Sequence, residues 1–201
     1  MKILNFGIAP YDVIYNRMLT HVSDATIKDK NQLWLLQHPS IFTQGLNGNK
    51  KHVLNPRISV FQSDRGGQIT YHGIGQAIIY FLFDLRTVKI GIKKFVSLVE
   101  EICIILLGFY GIQASTMNQA PGVYVEGKKI ASLGLRVKRG LTYHGLAINN
   151  NLDLAPFSFI NPCGYKNMKI TKISHYCPGI STEQVLYDYS KILIQKLLSP
   201  A

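Results

Sequence analysis

The chain has 201 residues, 47% of them hydrophobic and 16% charged, a balance that suits one folded domain with a sizeable core and excludes a disordered chain. Its formal net charge of +11 points towards an acidic partner, whether nucleic acid, an anionic membrane surface or an acidic protein; the plain alternative is a Lys-rich surface with no dedicated partner. The three cysteines are odd in number and show no C-x-x-C spacing, which argues against a disulfide framework and a structural zinc site and favours a reducing cytoplasm.

In chain order, residues 1–6 are too short and too soon broken, by Gly7 to Pro10, to read as a signal peptide. No run approaches the ~18 to 20 apolar residues that would span a bilayer. A strand over 2–6 leads into a helix over 11–28. Leu33-Trp34-Leu35-Leu36 reads as a buried strand ending at His38-Pro39, and a polar loop rich in Asn, Gly and Lys covers 44–52. Strands follow over 58–61 and 77–83, the second an almost continuous apolar run of the kind found in central strands.

Phe95, Val96, Val99, Ile102, Cys103, Leu106 and Leu107 recur at spacings of three and four and predict a helix over 92–107, stopped by Gly108 and Gly111. Strands over 122–125 and 129–137 form a hairpin around Glu126-Gly127-Lys128, and 141–149 is the next strand. The last helix runs over 181–198, capped by Ser181 or Thr182 with Glu183 in its first turn. Hairpin-spaced strands outnumber strand–helix–strand units, so the class is α+β with a mixed or antiparallel sheet, in a single domain over 1–201.

Three segments look unlike ordinary core. Arg65 to Gln76 holds four glycines in twelve residues, which lets backbone N–H groups approach a ligand, with Arg65 and His72 as polar anchors. A glycine-rich hairpin without a ligand would look the same. Gly73-Ile74-Gly75 is no dinucleotide fingerprint, and no Walker-type phosphate loop occurs anywhere. In the second segment, Gly127 to Gly134, Lys128 sits at the turn and reads as solvated. Lys129 enters an apolar strand, so it must snorkel out or be held inside with a lowered pKa, although general burial statistics favour a solvated edge for either lysine. The third segment is Asn161-Pro162-Cys163-Gly164. A cysteine between proline and glycine lies in a tightly specified loop and does not look like packing material, whereas Cys103 falls on the apolar stripe of a helix and Cys177 stays ambiguous.

Taken together and in this order, these segments resemble the octanoyltransferases of lipoate biosynthesis, the lipoyl(octanoyl) transferase family. The resemblance covers most of the chain. It runs through Leu35-Leu36-Gln37-His38-Pro39 with Phe42-Thr43, Arg65-Gly66-Gly67-Gln68-Ile69-Thr70-Tyr71-His72-Gly73, and Ala120-Pro121-Gly122-Val123-Tyr124-Val125. It continues in Lys129-Ile130-Ala131-Ser132-Leu133-Gly134, His144-Gly145-Leu146-Ala147 with Asn149, and Asn161-Pro162-Cys163-Gly164. Ile74 departs from it, since the family usually has proline between the two glycines.

The resemblance implies a biotin/lipoate protein ligase-like fold, related to class II synthetases, with a mixed, largely antiparallel sheet flanked by helices. It implies octanoyl transfer from acyl carrier protein to a lysine of lipoyl domains, those of 2-oxoacid dehydrogenase complexes and of the glycine cleavage H protein. Cys163 would carry the acyl group as a thioester and Lys129 would be its acid/base partner. Arg65, Gly66, Gly67, Gln68, Ile69, Thr70, Tyr71 and His72 would line the acyl pocket with Ser132, Leu133, Gly134, Gly145, Leu146 and Ala147. No metal, bound cofactor, nucleic acid or membrane is required, and the protein would be a cytoplasmic monomer. His72 and His144 read as wall or hydrogen-bonding residues, because nothing at metal spacing accompanies them. An ATP-dependent lipoate or biotin ligase is the nearest rival. Its glycine segment would read Gly-Gly-Gly where Gln68 stands here, and it has no need of Cys163. A nucleic-acid-binding protein is the second, against which the basic residues are scattered and form no recognition motif.

Overall fold

The computed structural model describes residues 1–24, 31–87, 89–118 and 120–198. Strand β1 (Lys2–Ile8) is followed by helix α1 (Tyr11–Ser23), β2 (Gln32–Gln37), β3 (Ile41–Gln44), β4 (Val60–Gln62), β5 (Ile69–His72) and β6 (Gln76–Leu82). Helix α2 (Ile92–Phe109) leads to β7 (Ser115–Thr116), β8 (Gly122–Val125), β9 (Lys128–Lys138), β10 (Leu141–Asn149) and helix α3 (Thr182–Leu198). The expected end of the first helix, beyond residue 24, lies outside the described residues. Seven strands (β1, β2, β4, β6, β8, β9 and β10) and two helices stand within two residues of their expected places; β3, β5 and β7 were not anticipated.

Seven strands make the main sheet in the order β1-β2-β6-β10-β9-β8-β7. Only β1 and β2 pair in parallel, and every other neighbouring pair is antiparallel, so the sheet is mixed and largely antiparallel as the sequence implies. A second sheet, β4-β3-β5, lies beside it.

The alternation of side chains along β2 and β6 builds two cores, one on each face. Leu33, Leu35, Ala77, Ile79 and Phe81 pack with the apolar stripes of α2 and α3. Trp34, Leu36, Ile78, Tyr80 and Leu82 pack against Ile14, Met18 and Val22 of α1. In α2 the periodic residues Phe95, Val99, Ile102, Cys103, Leu106 and Leu107 are fully buried, and Gly111, at φ +74°, lets the Ile112 N–H close back on the Leu107 carbonyl at 2.9 Å. Ser181 caps α3, its hydroxyl accepting the Gln184 N–H at 3.0 Å. Between the α1 face of the main sheet and the small sheet a gap remains, and the candidate site occupies it.

Candidate active site

Lys129 owes its place to a fault in strand pairing. Val123 pairs with Ala131 and Tyr124 with Lys129, so Ile130 has no residue opposite and forms a bulge. The bulge breaks in–out alternation: Lys129, Ile130 and Ala131 are all buried, with Lys129 2% exposed. The neighbouring Lys128 keeps its head at the surface, 3.2 Å from Glu126. The backbone of Lys129 is gripped as well, its N–H donating to Lys169 at 2.8 Å and its carbonyl accepting from Thr171 at 2.9 Å. Gly122 makes room for the side chain, since a Cβ there would stand 2.5 Å from Lys129 Cε and 2.5 Å from the Ala131 carbonyl.

Cys163 arrives from the far side of the gap on a single turn, Pro162–Gly164, in left-handed backbone at φ 55° and ψ 16°. Such a conformation is uncommon outside glycine and has to be imposed by its surroundings. Gly164 is left-handed too, at φ +80°, and packs so closely on Gln68 that a Cβ would meet its side chain at 2.2 Å. The outcome is that Cys163 Sγ lies 3.3 Å from Lys129 Nζ, a contact between residues 34 positions apart. Burial pulls the Lys129 ammonium down, but Cys163 and the Tyr124 ring beside it push the other way and prevail, so its pKa is raised. The expectation of a lowered value is overturned, because the contacts with Cys163 and Tyr124 outweigh desolvation. Cys103 is enclosed in the core, where burial pushes its thiol far up, and Cys177 packs half-buried at the edge of that core.

A pocket opens from Cys163 into the gap. Of the residues implied for it, Arg65, Gly67, Gln68, Thr70, His72, Ser132, Leu133, Gly134, Gly145, Leu146 and Ala147 line it. Ile69 and Tyr71 do not. Successive residues of β5 face opposite ways, so Thr70 and His72 look into the pocket while Ile69 and Tyr71 fill a small core with Phe42, Leu152 and Phe157. Gly66 instead borders an outer groove that reaches Cys163 from the surface, together with Ile92, Val96, Pro121, Leu135 and Tyr165. Two lining residues were not anticipated for the pocket, Ile78 and Tyr80, and His144, read as a wall or hydrogen-bonding residue, lines it as well.

Arg65 is a clamp for backbone. Its guanidinium donates to the Thr43 carbonyl at 2.6 Å, the Gln68 carbonyl at 2.6 Å and the Gly66 carbonyl at 3.0 Å, tying β3 to the glycine loop. His72 belongs to a chain of buried amides. Asn149 Nδ2 donates to the Thr171 carbonyl at 2.9 Å, Gln76 Nε2 to Asn149 Oδ1 at 2.9 Å, and His72 Nδ1–H to Gln76 Oε1 at 2.7 Å. That polarity fixes the tautomer, and burial depresses His72 to about 3, so the ring is neutral at pH 7. Thr171 is the residue whose N–H holds Lys129, so the chain joins the pocket roof to the buried lysine. The Gly164 N–H donates to the Asn161 carbonyl at 2.9 Å.

His144 has φ +60° in the middle of β10. This turns its ring onto the same side as Tyr143, where adjacent strand residues would normally diverge. Both then bind one carboxylate: His144 Nε2 donates to Asp64 Oδ1 at 2.9 Å and the Tyr143 hydroxyl donates to Oδ2. Burial works against the Asp64 charge, but these hydrogen bonds outweigh it and hold the carboxyl at about 2. Among the described residues no group of three or more His, Cys, Asp or Glu could hold a metal ion, and no helix is long and apolar enough to cross a membrane.

Residues 14–191 match the family model of the lipoyl protein ligase A/B catalytic domain. An octanoyltransferase of Legionella pneumophila (strain Corby) is 50% identical over 186 residues, covering 92% of this chain and 94% of the relative. One of Francisella tularensis subsp. novicida (strain U112) is 44% identical over 188 residues, covering 92% and 91%. Among solved structures, lipoate-protein ligase A bound with ATP superposes with a TM-score of 0.77 at 15% identity, over 98% of this chain and 85% of that one. Biotin protein ligase from Aquifex aeolicus superposes with a TM-score of 0.59 at 10% identity, over 98% and 69%. The structural likenesses give the fold, that of the biotin and lipoate protein ligases, and the sequence identities give the family: the chain belongs to the octanoyltransferases and is an acyltransferase.

Proposed function

We propose that the protein transfers an octanoyl group from octanoyl-acyl carrier protein to a lysine of lipoyl domains through a thioester on Cys163, with Lys129 as acid and base. The observation that carries this is the 3.3 Å contact between Lys129 Nζ and Cys163 Sγ at the mouth of the pocket. The attacking species is a thiolate, and a buried ammonium that keeps its proton is its natural counter-ion.

In the first half, Cys163 Sγ attacks the carrier thioester carbonyl, the carbon–sulfur bond to the carrier breaks, and Lys129 gives its proton to the departing thiolate. Lys129 is then neutral. In the second half, the acceptor lysine attacks the Cys163 thioester as a free amine and its surplus proton passes to Lys129. Cys163 leaves as the thiolate, and the starting pair is restored. The acceptors are the lipoyl domains of 2-oxoacid dehydrogenase complexes and of the glycine cleavage H protein. The reaction needs no ATP, metal or bound cofactor, and runs in a reducing cytoplasm with the protein as a monomer.

Incubation with octanoyl-acyl carrier protein without ATP, followed by intact mass and a peptide map, tests this. A gain of one octanoyl group on Cys163, removed by hydroxylamine or by an added lipoyl domain, is the expected result. Transfer that appears only with ATP and free octanoate would mean a ligase and leave Cys163 without a covalent role.

A further inference from the structure

The pocket floor can be read from strand register. On its α1 face, Ser132 of β9 lies beside Ala147 of β10, which lies beside Ile78 of β6. Two residues further along, Gly134 lies beside Gly145, which lies beside Tyr80. The floor is therefore small residues on β9 and β10, met by two large ones on β6. A Cβ on Gly145 would run into the Ile79 carbonyl, and one on Gly134 would stand 3.0 Å from the Gly66 carbonyl, a tight approach that the loop would have to relieve. Cys163 enters at the β9 side, beside Lys129. An acyl chain leaving Sγ has an open path across β10 and meets its first bulky obstacle two strand spacings away, roughly 10 Å. That distance is comparable to an extended octyl chain.

Two rings close this far corner. Tyr80 and His144 meet edge to face, with centroids 6.1 Å apart. Each is locked from behind. His38 Nδ1–H donates to the Ala9 carbonyl at 2.7 Å, which leaves Nε2 to accept the Tyr80 hydroxyl at 2.9 Å. His144 is held by Asp64, as described above. Both rings are almost wholly buried, and neither bears on the Cys163–Lys129 pair.

The geometry points to Tyr80 and His144 as the residues that set acyl-chain length, with His38 and Asp64 as positioning residues that keep this wall from yielding. The inference rests on the acyl-enzyme reading above and adds its specificity determinant. A wall pinned by hydrogen bonds discriminates by length because a longer chain has to displace the rings and break their bonds, whereas a shorter one leaves apolar surface unfilled. Each methylene accommodated strengthens binding about fourfold.

The test measures self-acylation rates of wild type, Tyr80→Leu, His144→Ala and the milder Tyr80→Phe. The probes are octanoyl-, decanoyl- and dodecanoyl-acyl carrier protein, and the quantity read is the ratio of each longer chain to octanoyl within one protein. That ratio is independent of the fraction folded. Tyr80→Leu and His144→Ala should raise the dodecanoyl-to-octanoyl ratio by tenfold or more. Tyr80→Phe, which keeps the ring and loses only its anchor to His38, should raise it several-fold, and His38→Leu should match it. A ratio that stays at the wild-type value in all of these variants overturns the inference while wild-type octanoyl loading upholds the reaction. Wild type that loads none of the three chains overturns the reaction and the inference together.

Discussion

Lysines 128 and 129 show how far one residue of register decides chemistry. The bulge at Ile130 sends Lys129 inward to Sγ and leaves Lys128 at the surface with Glu126. Lys129→Ala should therefore cut the rate of transfer by 10² or more, the usual scale for a positioned acid/base group, while Lys128→Ala stays within about twofold. Single-turnover transfer from octanoyl-acyl carrier protein to a lipoyl domain checks both; a dead Lys128→Ala enzyme would reassign the role. Gly122→Ala approaches the same contact from behind. Its φ of +131° and the 2.5 Å approach to Lys129 Cε mean that a methyl group must move either the lysine or β9. Activity should fall at least tenfold with a stability loss of about 1–3 kcal/mol, read from acylation kinetics and a denaturant titration of the same protein. Activity left intact would show that Lys129 can be moved without consequence, against the role proposed for it.

At the scale of elements, strand β10 was legible residue for residue, because Leu141, Thr142, Tyr143, Leu146 and Ile148 follow directly on the Arg139-Gly140 turn. Helices α2 and α3 were equally plain from apolar spacing and a capping serine. Strands β3 and β5 were not. Each is only four residues long, too short for the alternation of Ile69 and Tyr71 with Thr70 and His72 to stand out, and the faces bearing Thr43, Thr70 and His72 serve Arg65 and the pocket while Phe42, Ile69 and Tyr71 serve a small core. The inward turn of His144 was also beyond reach, because nothing local in Tyr143-His144-Gly145 announces a positive φ that only the fold imposes. These same elements carry a pH response. Burial depresses His38 to about 4, His72 to about 3 and His144 below its ordinary value, against 6.5 for free imidazole. Below pH 6.5 the unfolded chain takes up protons that the folded chain refuses, so stability is full above that pH and falls as pH drops towards 4. With His38 and His72 each withholding up to one proton, the slope should approach about 3 kcal/mol per pH unit in the steepest part, and His144 adds to it in the same direction. Denaturant midpoints between pH 7.5 and 4.5 measure it. His72→Gln should remove about one proton from the slope, and an unchanged slope would mean that the ring is already charged in the folded state.

Across the whole molecule the excess positive charge gathers where macromolecular substrates would have to approach. The chain from 44 to 63 and from 154 to 182 contains no aspartate or glutamate, yet carries Lys50, Lys51, Arg57, Lys166, Lys169 and Lys172. Both stretches meet at Cys163: Asn47 and Tyr165 border the outer groove, and the His52 carbonyl accepts the Asn161 N–H at 2.8 Å. On the opposite lip, Lys93 and Lys94 are exposed in the first turn of α2, next to Ile92 and Val96 of the same groove. Charges arranged in this way speed encounter with an acidic carrier and do little once a small neutral thioester has bound. Exposed pairs lose most of that attraction as the Debye length falls from ~10 Å at 0.1 M salt to ~3 Å at 1 M. The second-order rate of Cys163 acylation by octanoyl-acyl carrier protein should therefore drop by about tenfold or more between 0.05 and 0.5 M NaCl. The same rate with octanoyl-pantetheine should stay within about twofold, because that donor carries no charge to be steered. Lys93→Glu with Lys94→Glu should reproduce the high-salt rate for the carrier at low salt and leave the small donor's rate alone, since neither lysine touches Cys163. If both donors responded to salt alike, the dependence would lie in the Cys163–Lys129 pair itself, and the basic rim would have no part in choosing the donor.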